Sequence, residues 1–157
     1  MSIRTTGPLI LQLEFLKGSI MKESAFQFTN PELKKVVFSV FDEFKSDSPS
    51  VKLKTSIEAK VSPFDVGERE SNALVEVTVR IGDNDSTQPF YIEATEGARF
   101  KWENEAYSQE TINNLLRKNG TALLVSYLRP VISHITGFSR FPAYQLPYID
   151  LTDEDSK

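Results

Sequence analysis

The side chains that most often carry catalysis are scarce in this sequence. It has no cysteine and one histidine, His134. Without thiols there can be no disulfide, thiolate zinc site, iron–sulfur cluster or cysteine nucleophile. One imidazole cannot build a two-histidine metal site within a chain, and His134 sits beside Ile135 near the end of an amphipathic helical stretch. A helix-end or interface role suits that position better than general base. The carboxylate pairs Glu68 with Glu70 and Asp83 with Asp85 fall in expected turns, where solvated turn chemistry accounts for them. Gly7, Gly18, Gly67, Gly82, Gly97, Gly120 and Gly137 stand alone, so no phosphate-cradling loop forms. No Gly-x-Ser-x-Gly elbow is present. The sequence therefore predicts no enzyme, no metal and no cofactor.

The chemistry it does offer is noncovalent. Eleven Phe, five Tyr and one Trp make 11% of the chain aromatic. Phe38, Phe41, Phe44, Phe64, Phe138, Phe141, Tyr144 and Tyr148 fall in expected loops or element ends. Core packing must absorb most aromatics, but a four-stranded sheet with two helices has limited core volume. Some should line an exposed groove or an oligomer interface. The run from Phe141 to Leu151 is apolar and held extended by Pro142 and Pro147. It reads either as a strap over the core or as one wall of a groove.

The elements that must position these residues are legible from periodicity. The 157 residues suit one domain spanning 1–157, with frayed tails at 1–8 and 152–157. No apolar run approaches the ~20 residues of a membrane-spanning helix, and the N-terminus lacks a signal-peptide pattern. A cytoplasmic protein without membrane insertion is expected. The net charge of −4, with the acidic excess between residues 51 and 107, argues against nucleic-acid binding. Strand patterns run from Leu9 to Phe28 with a phase change at Gly18, from Val51 to Val61, from Ala73 to Ile81, and from Phe90 to Trp102. Pro63 and Gly67 close the second, and Gly82-Asp83-Asn84-Asp85 is a turn. Pro31 to Lys35 could open a short helix, whereas Val36, Val37, Phe38, Val40, Phe41 and Phe44 fit neither helix nor strand. Residues 46–50 form a loop. Ser108 can N-cap a helix to about Lys118, interrupted at Asn119-Gly120. A second helix from Thr121 to about Thr136 carries Leu123, Leu124, Tyr127, Leu128, Val131, Ile132 and Ile135 at helical spacing. Pro130 should kink it and Gly137 cap it. Strands first and helices last predict an α+β fold: a four-stranded antiparallel sheet with a long, kinked C-terminal helix.

Ser126-Tyr127-Leu128-Arg129, a helix end, and then Phe141-Pro142-x-x-x-Leu146-Pro147 resemble the C-terminal half of the SecB family of bacterial protein-export chaperones. Lys22-Glu23-Ser24-Ala25-Phe26 resembles the family's kinked first strand, and the likeness covers roughly residues 10 to 150. The resemblance implies an ATP-independent holdase, assembled as a dimer of dimers, whose partners are unfolded or preprotein chains and the SecA motor. Among the surplus aromatics, Phe38, Phe41, Phe44, Trp102, Phe138, Phe141 and Tyr144 are expected to contact clients, and the resemblance implies SecA docking through Glu23, Tyr91 and Glu93. Two positions depart from the docking pattern: Gln27 replaces an expected acid, and Tyr91 an expected leucine. There is also little room before Lys157 for the family's last helix. The apolar stretch before Pro49 is also heavier than is usual in the family, and this change and the missing helix weigh against SecA delivery more than against client holding.

The alternatives are a non-catalytic interaction domain that binds one specific folded partner, a SecB-like protein dedicated to a client such as an antitoxin, and a small-ligand pocket or enzyme.

Overall fold

The alternating residues of 73–81 and 90–102 form the two central strands of an antiparallel sheet. The computed structural model describes residues 23–151. Its strands are β1 (Phe26–Phe28), β2 (Glu32–Val40), β3 (Thr55–Val61), β4 (Asp65–Val66), β5 (Glu70–Ile81) and β6 (Phe90–Glu103). β5 and β6 pair along their lengths. β1 and β2 lie end to end along the far side of β6, and β3 and β4 along the far side of β5. The six segments thus fill four files, which is the expected four-stranded layout. Residues 9–22 of the Leu9 to Phe28 pattern and both expected frayed tails lie outside the described residues.

Parity decides what is buried. Val75, Val77, Val79 and Ile81 of β5 face the helix layer with Phe90, Ile92, Ala94, Ala98 and Phe100 of β6, all buried. Gly82 makes the turn between these strands at φ 79, and a Cβ there would lie 2.2 Å from the Phe90 carbonyl oxygen. Only glycine meets both demands.

Three local expectations are corrected. Residues 32–40 are a strand, not the start of a helix. The register slips between Leu33 and Lys35, so the residues facing the helix layer pass from Leu33 to Val36, Phe38 and Val40. A bulge of this kind breaks the period of two that would have marked the strand. In the second correction, β3 begins at Thr55 rather than Val51. The third concerns the helices: α1 (Gln109–Asn114), a π-helical turn (Leu115–Gly120) and α2 (Thr121–Gly137) follow one another without a break at Asn119-Gly120. A Cβ on Gly120 would lie 3.3 Å from the Phe100 ring, so the glycine serves close packing on the sheet. Gly137 stays helical, and Phe138 ends the helix in the right-handed region.

Ser108 caps α1 as expected, its hydroxyl accepting the Thr111 N–H at 3.2 Å. Pro130 stands inside α2, and its carbonyl accepts from His134 Nδ1 at 2.7 Å. Leu124, Leu128 and Ile132 of α2 are buried in the core shared with β5 and β6. Residues 141–151 form a strap without regular structure, anchored by the buried Leu146. Among the described residues, no helix is long and apolar enough to cross a membrane.

Candidate functional site

Phe90, at the start of β6, gathers most of the expected aromatics. Phe38 of β2 lies 5.9 Å from it, Phe141 6.4 Å and Tyr144 6.3 Å, and Phe44 meets Phe141 at 6.1 Å. These four rings are half-buried. Phe41 joins through the backbone, its N–H donating to the Pro89 carbonyl at 3.1 Å. Arg140 binds the segment together: it donates to the carbonyls of Phe41, Asp42 and Phe44 at 3.3–3.4 Å, with its guanidinium 4.4 Å over the Phe141 ring. Phe138, just past α2, is 87% exposed. The strap is pinned by Arg129, which donates to the carbonyls of Leu146 and Pro147, and by Thr136, whose hydroxyl accepts the Tyr144 N–H at 2.8 Å.

Trp102 is not part of this cluster. It lies twelve residues along β6 from Phe90, about 40 Å at ~3.3 Å per residue. It is 5% exposed and packs against Phe64 and Phe26, with Tyr107 beyond.

A groove of about 840 Å³ opens on the helix side of β3. Ile57, Ala59 and Val61 form its floor, Arg117 and Thr121 one wall, and Pro147, Ile149 and Leu151 of the strap the other. Thr121 is 2% exposed, and its hydroxyl has no hydrogen-bond partner among the described residues. Sequence reasoning missed this groove. The available signal was Ala59, a small residue at an inward position of a strand otherwise floored by Ile57 and Val61. The strap is therefore both of the things its sequence allowed: it covers the core at Leu146 and walls the groove beyond.

The opposite face of the sheet is polar. Glu93 accepts from Lys35 at 2.6 Å, Arg80 at 2.9 Å and Tyr91 at 2.9 Å. These hydrogen bonds, that from Lys35 foremost, hold its carboxyl down at about 2. Burial, with the bond to Glu93 second, raises the Tyr91 phenol. Arg80 also reaches Glu58 at 3.0 Å. Tyr91 and Glu93 thus come together, but Glu23 does not join them. It lines a shallow polar recess with Lys101 and Glu103 at the other end of β6. Lys101 lies eight residues from Glu93, about 27 Å along the strand.

Glu96 went unnoticed in the sequence, although its even position on β6 places it toward the helix layer. It is 5% exposed, one carboxylate oxygen lacks a partner among the described residues, and burial raises its pKa.

No protein-family model matches the sequence, and no curated protein matches it. Solved structures do. A SecB-like chaperone of Mycobacterium tuberculosis, in complex with a ChAD peptide from the HigA1 antitoxin, superposes with a TM-score of 0.53. It is 16% identical, and the match covers 79% of this chain and 90% of that one. A protein of unknown function from Streptococcus agalactiae matches at 11% identity and a TM-score of 0.46, over 78% of this chain and 97% of that one. The fold of this protein is SecB-like.

Proposed function

We propose that the protein is an ATP-independent holding chaperone that keeps unfolded or preprotein chains from aggregating. The observation that carries this reading is the half-open aromatic cluster around Phe90, bordered by the exposed Phe138, on a fold whose solved M. tuberculosis counterpart is seen with a bound peptide. Each large apolar side chain that a client buries there contributes ~1.5–3 kcal/mol, against ~1–2 kcal/mol for each residue it orders. Single contacts are therefore weak and tolerant of sequence, and several sites on one assembly multiply the apparent affinity. A homo-oligomer, a tetramer by analogy with the family, fits the second exposed apolar region. Tyr127 is exposed on the flank of α2 opposite Arg129 and Ser133, which hold the strap, with Leu123 and Val131 half-buried beside it, and Phe28 and Leu33 are exposed on β1 and beside the bulge.

Delivery to a SecA motor finds little support in the expected docking residues. The Glu93 carboxylate is already taken up by Lys35, Arg80 and Tyr91, and Glu23 lies at the far end of the strand.

Light scattering of several unrelated unfolding proteins tests the reading. The wild-type chain should suppress aggregation of all of them. Phe41→Ser, Phe44→Ser and Phe141→Ser combined should abolish most of the suppression while circular dichroism stays unchanged. Suppression of only one protein would point instead to a dedicated client, and unchanged suppression by the triple variant would remove the aromatic cluster from the mechanism. Sedimentation with and without an unfolded chain reports the assembly.

A further inference from the structure

Glu96 is a carboxyl set in an apolar row. On β6 it faces the helix layer between its register partners Leu33 of β2 and Val77 of β5, and α2 lies across β5 and β6. Its Oε2 is sealed from solvent and meets no donor among the described residues, a state that calls for a reason in any buried polar atom. No charged group answers it. The stems of Lys34, the extra residue of the β2 bulge, and of Glu76 on β5 flank the outer face of Gly97, away from Glu96, and Lys34 donates to Glu32 at 2.6 Å. Arg129 of α2 is turned to the strap. Tyr127 and His134 share the flank of α2 away from the strap, with His134 Nδ1 bonded to the Pro130 carbonyl. Burial alone acts on the Glu96 carboxyl, and it acts upward.

The same flank fits a second copy of the chain. Leu123, Tyr127 and Val131 recur every four residues, so the stripe reads alike in both directions from Tyr127. A two-fold axis there sets Tyr127 on its copy and Leu123 of one molecule against Val131 of the other, a contact that closes on itself. Leu33, exposed beside Glu96, lies on the side of the sheet that this flank overlooks, because the strap from Pro147 onward runs on the β3 side. Resting on the assembly read above, we propose that two copies close over this flank only when each Glu96 has taken up a proton from solvent, so that acidity controls assembly. The covering molecule removes what solvent still reaches Glu96 beside Leu33. Without a donor, the ionised form then loses its last source of solvation, whereas the neutral acid has no charge to solvate. His134 works the other way: it gains charge as pH falls, and like charges brought together on the flank would loosen the pair.

Sedimentation of the full-length protein at a series of pH values tests the linkage. With one proton taken up per Glu96, the dissociation constant of the pair should rise by at least about tenfold from about pH 5 to about pH 8. Glu96→Gln, neutral at every pH, should stay associated across that range and lose most of the dependence. Glu76→Gln, which removes a carboxylate from the outer face, should keep it, and this separates Glu96 from the general discharge of an acidic chain. Tyr127→Arg should block association at every pH. Equal pH dependence in the wild type and Glu96→Gln overturns the proposal, as does association that strengthens with rising pH or that survives Tyr127→Arg. A chain that is monomeric at every pH overturns the assembly as well. Aggregation suppression by the same wild-type samples judges the chaperone reading separately: its presence keeps that reading whatever the association does, and its absence at every pH removes it. If Glu96→Gln does not fold, the protons released on diluting the wild type decide alone, about one per chain supporting the proposal and none overturning it.

Discussion

β6 has an aromatic cluster at each end, and the two differ in what surrounds them. At the Trp102 end, β1 and β6 supply Phe26 and Phe100, the connections before β4 and α1 supply Phe64 and Tyr107, and Trp102 is closed over. At the Phe90 end, a loop, a helix terminus and the strap supply Phe44, Phe141 and Tyr144, and the rings stay half-covered. Short connections tucked between strands close over Trp102, whereas the long loop and strap at the Phe90 end are held by a few polar pins such as Arg140 and Thr136 and leave gaps. Aromatic content alone does not distinguish a core from a binding surface.

The contrast can be broken most sharply at its closed end. Trp102→Ala should cost about 3–5 kcal/mol of stability, read from urea unfolding, and should leave aggregation suppression per folded molecule unchanged. A fall in suppression without a fall in stability would mean that the closed end binds clients.

The next effect lies between the two ends, where Glu93 and Glu96 point to opposite faces of β6. The folded pKa of Glu93 is lowered from an ordinary 4.5 to about 2. Its stabilising contribution is present above pH 4.5 and disappears as pH falls toward 2. Glu96 is raised by burial, so its contribution is full below the ordinary carboxylate range and is lost as pH rises through the raised value. Unfolding free energies from pH 2 to 8 should lose their acid-side slope in Glu93→Gln and their opposing slope in Glu96→Gln.

A smaller loss is expected at the open end. Arg140→Ala removes long hydrogen bonds and a cation–π contact together worth about 1 kcal/mol, which thermal melts would register. Lysine should restore it only in part, since an ammonium can replace the single Nη2 donor but not the planar guanidinium over the Phe141 ring. The smallest change in stability belongs to Phe138→Ser, within about 0.5 kcal/mol because the ring is solvated, yet affinity for an unfolded chain should fall. Unaltered affinity would shrink the client surface to the rings around Phe90.

Much of the fold was legible because β3, β5, β6 and α2 each keep an unbroken period, and the Ser108 cap and the Gly82 turn depend only on local chemistry. The β2 strand was hidden by one extra residue in its ladder. The continuity of the helical layer was hidden because Gly120, a breaker in isolation, is needed for close approach to Phe100. Of the site, the sequence named the aromatics and not their grouping. Nothing local distinguishes Trp102, which is buried, from Phe141, which is not, because a strap and a strand edge decide the matter from far along the chain. Arg140, Thr121 and the free edge of β3 left no sequence signal, since each acquires its role only from backbone groups brought near or left bare by folding.

The outer edge of β3, unpaired among the described residues, is also a hazard to its owner. A strand open on one side invites identical molecules to stack, the first step toward fibrous aggregates. β3 is only seven residues long, and it carries Glu58 and Lys60 on its wet face with Lys54 just before it. Charge and brevity act as gatekeepers, so copies meeting edge to edge gain little. On the proposed chaperone reading the molecule must also resist clumping itself, and the residues flanking Ala59 are where that balance is set.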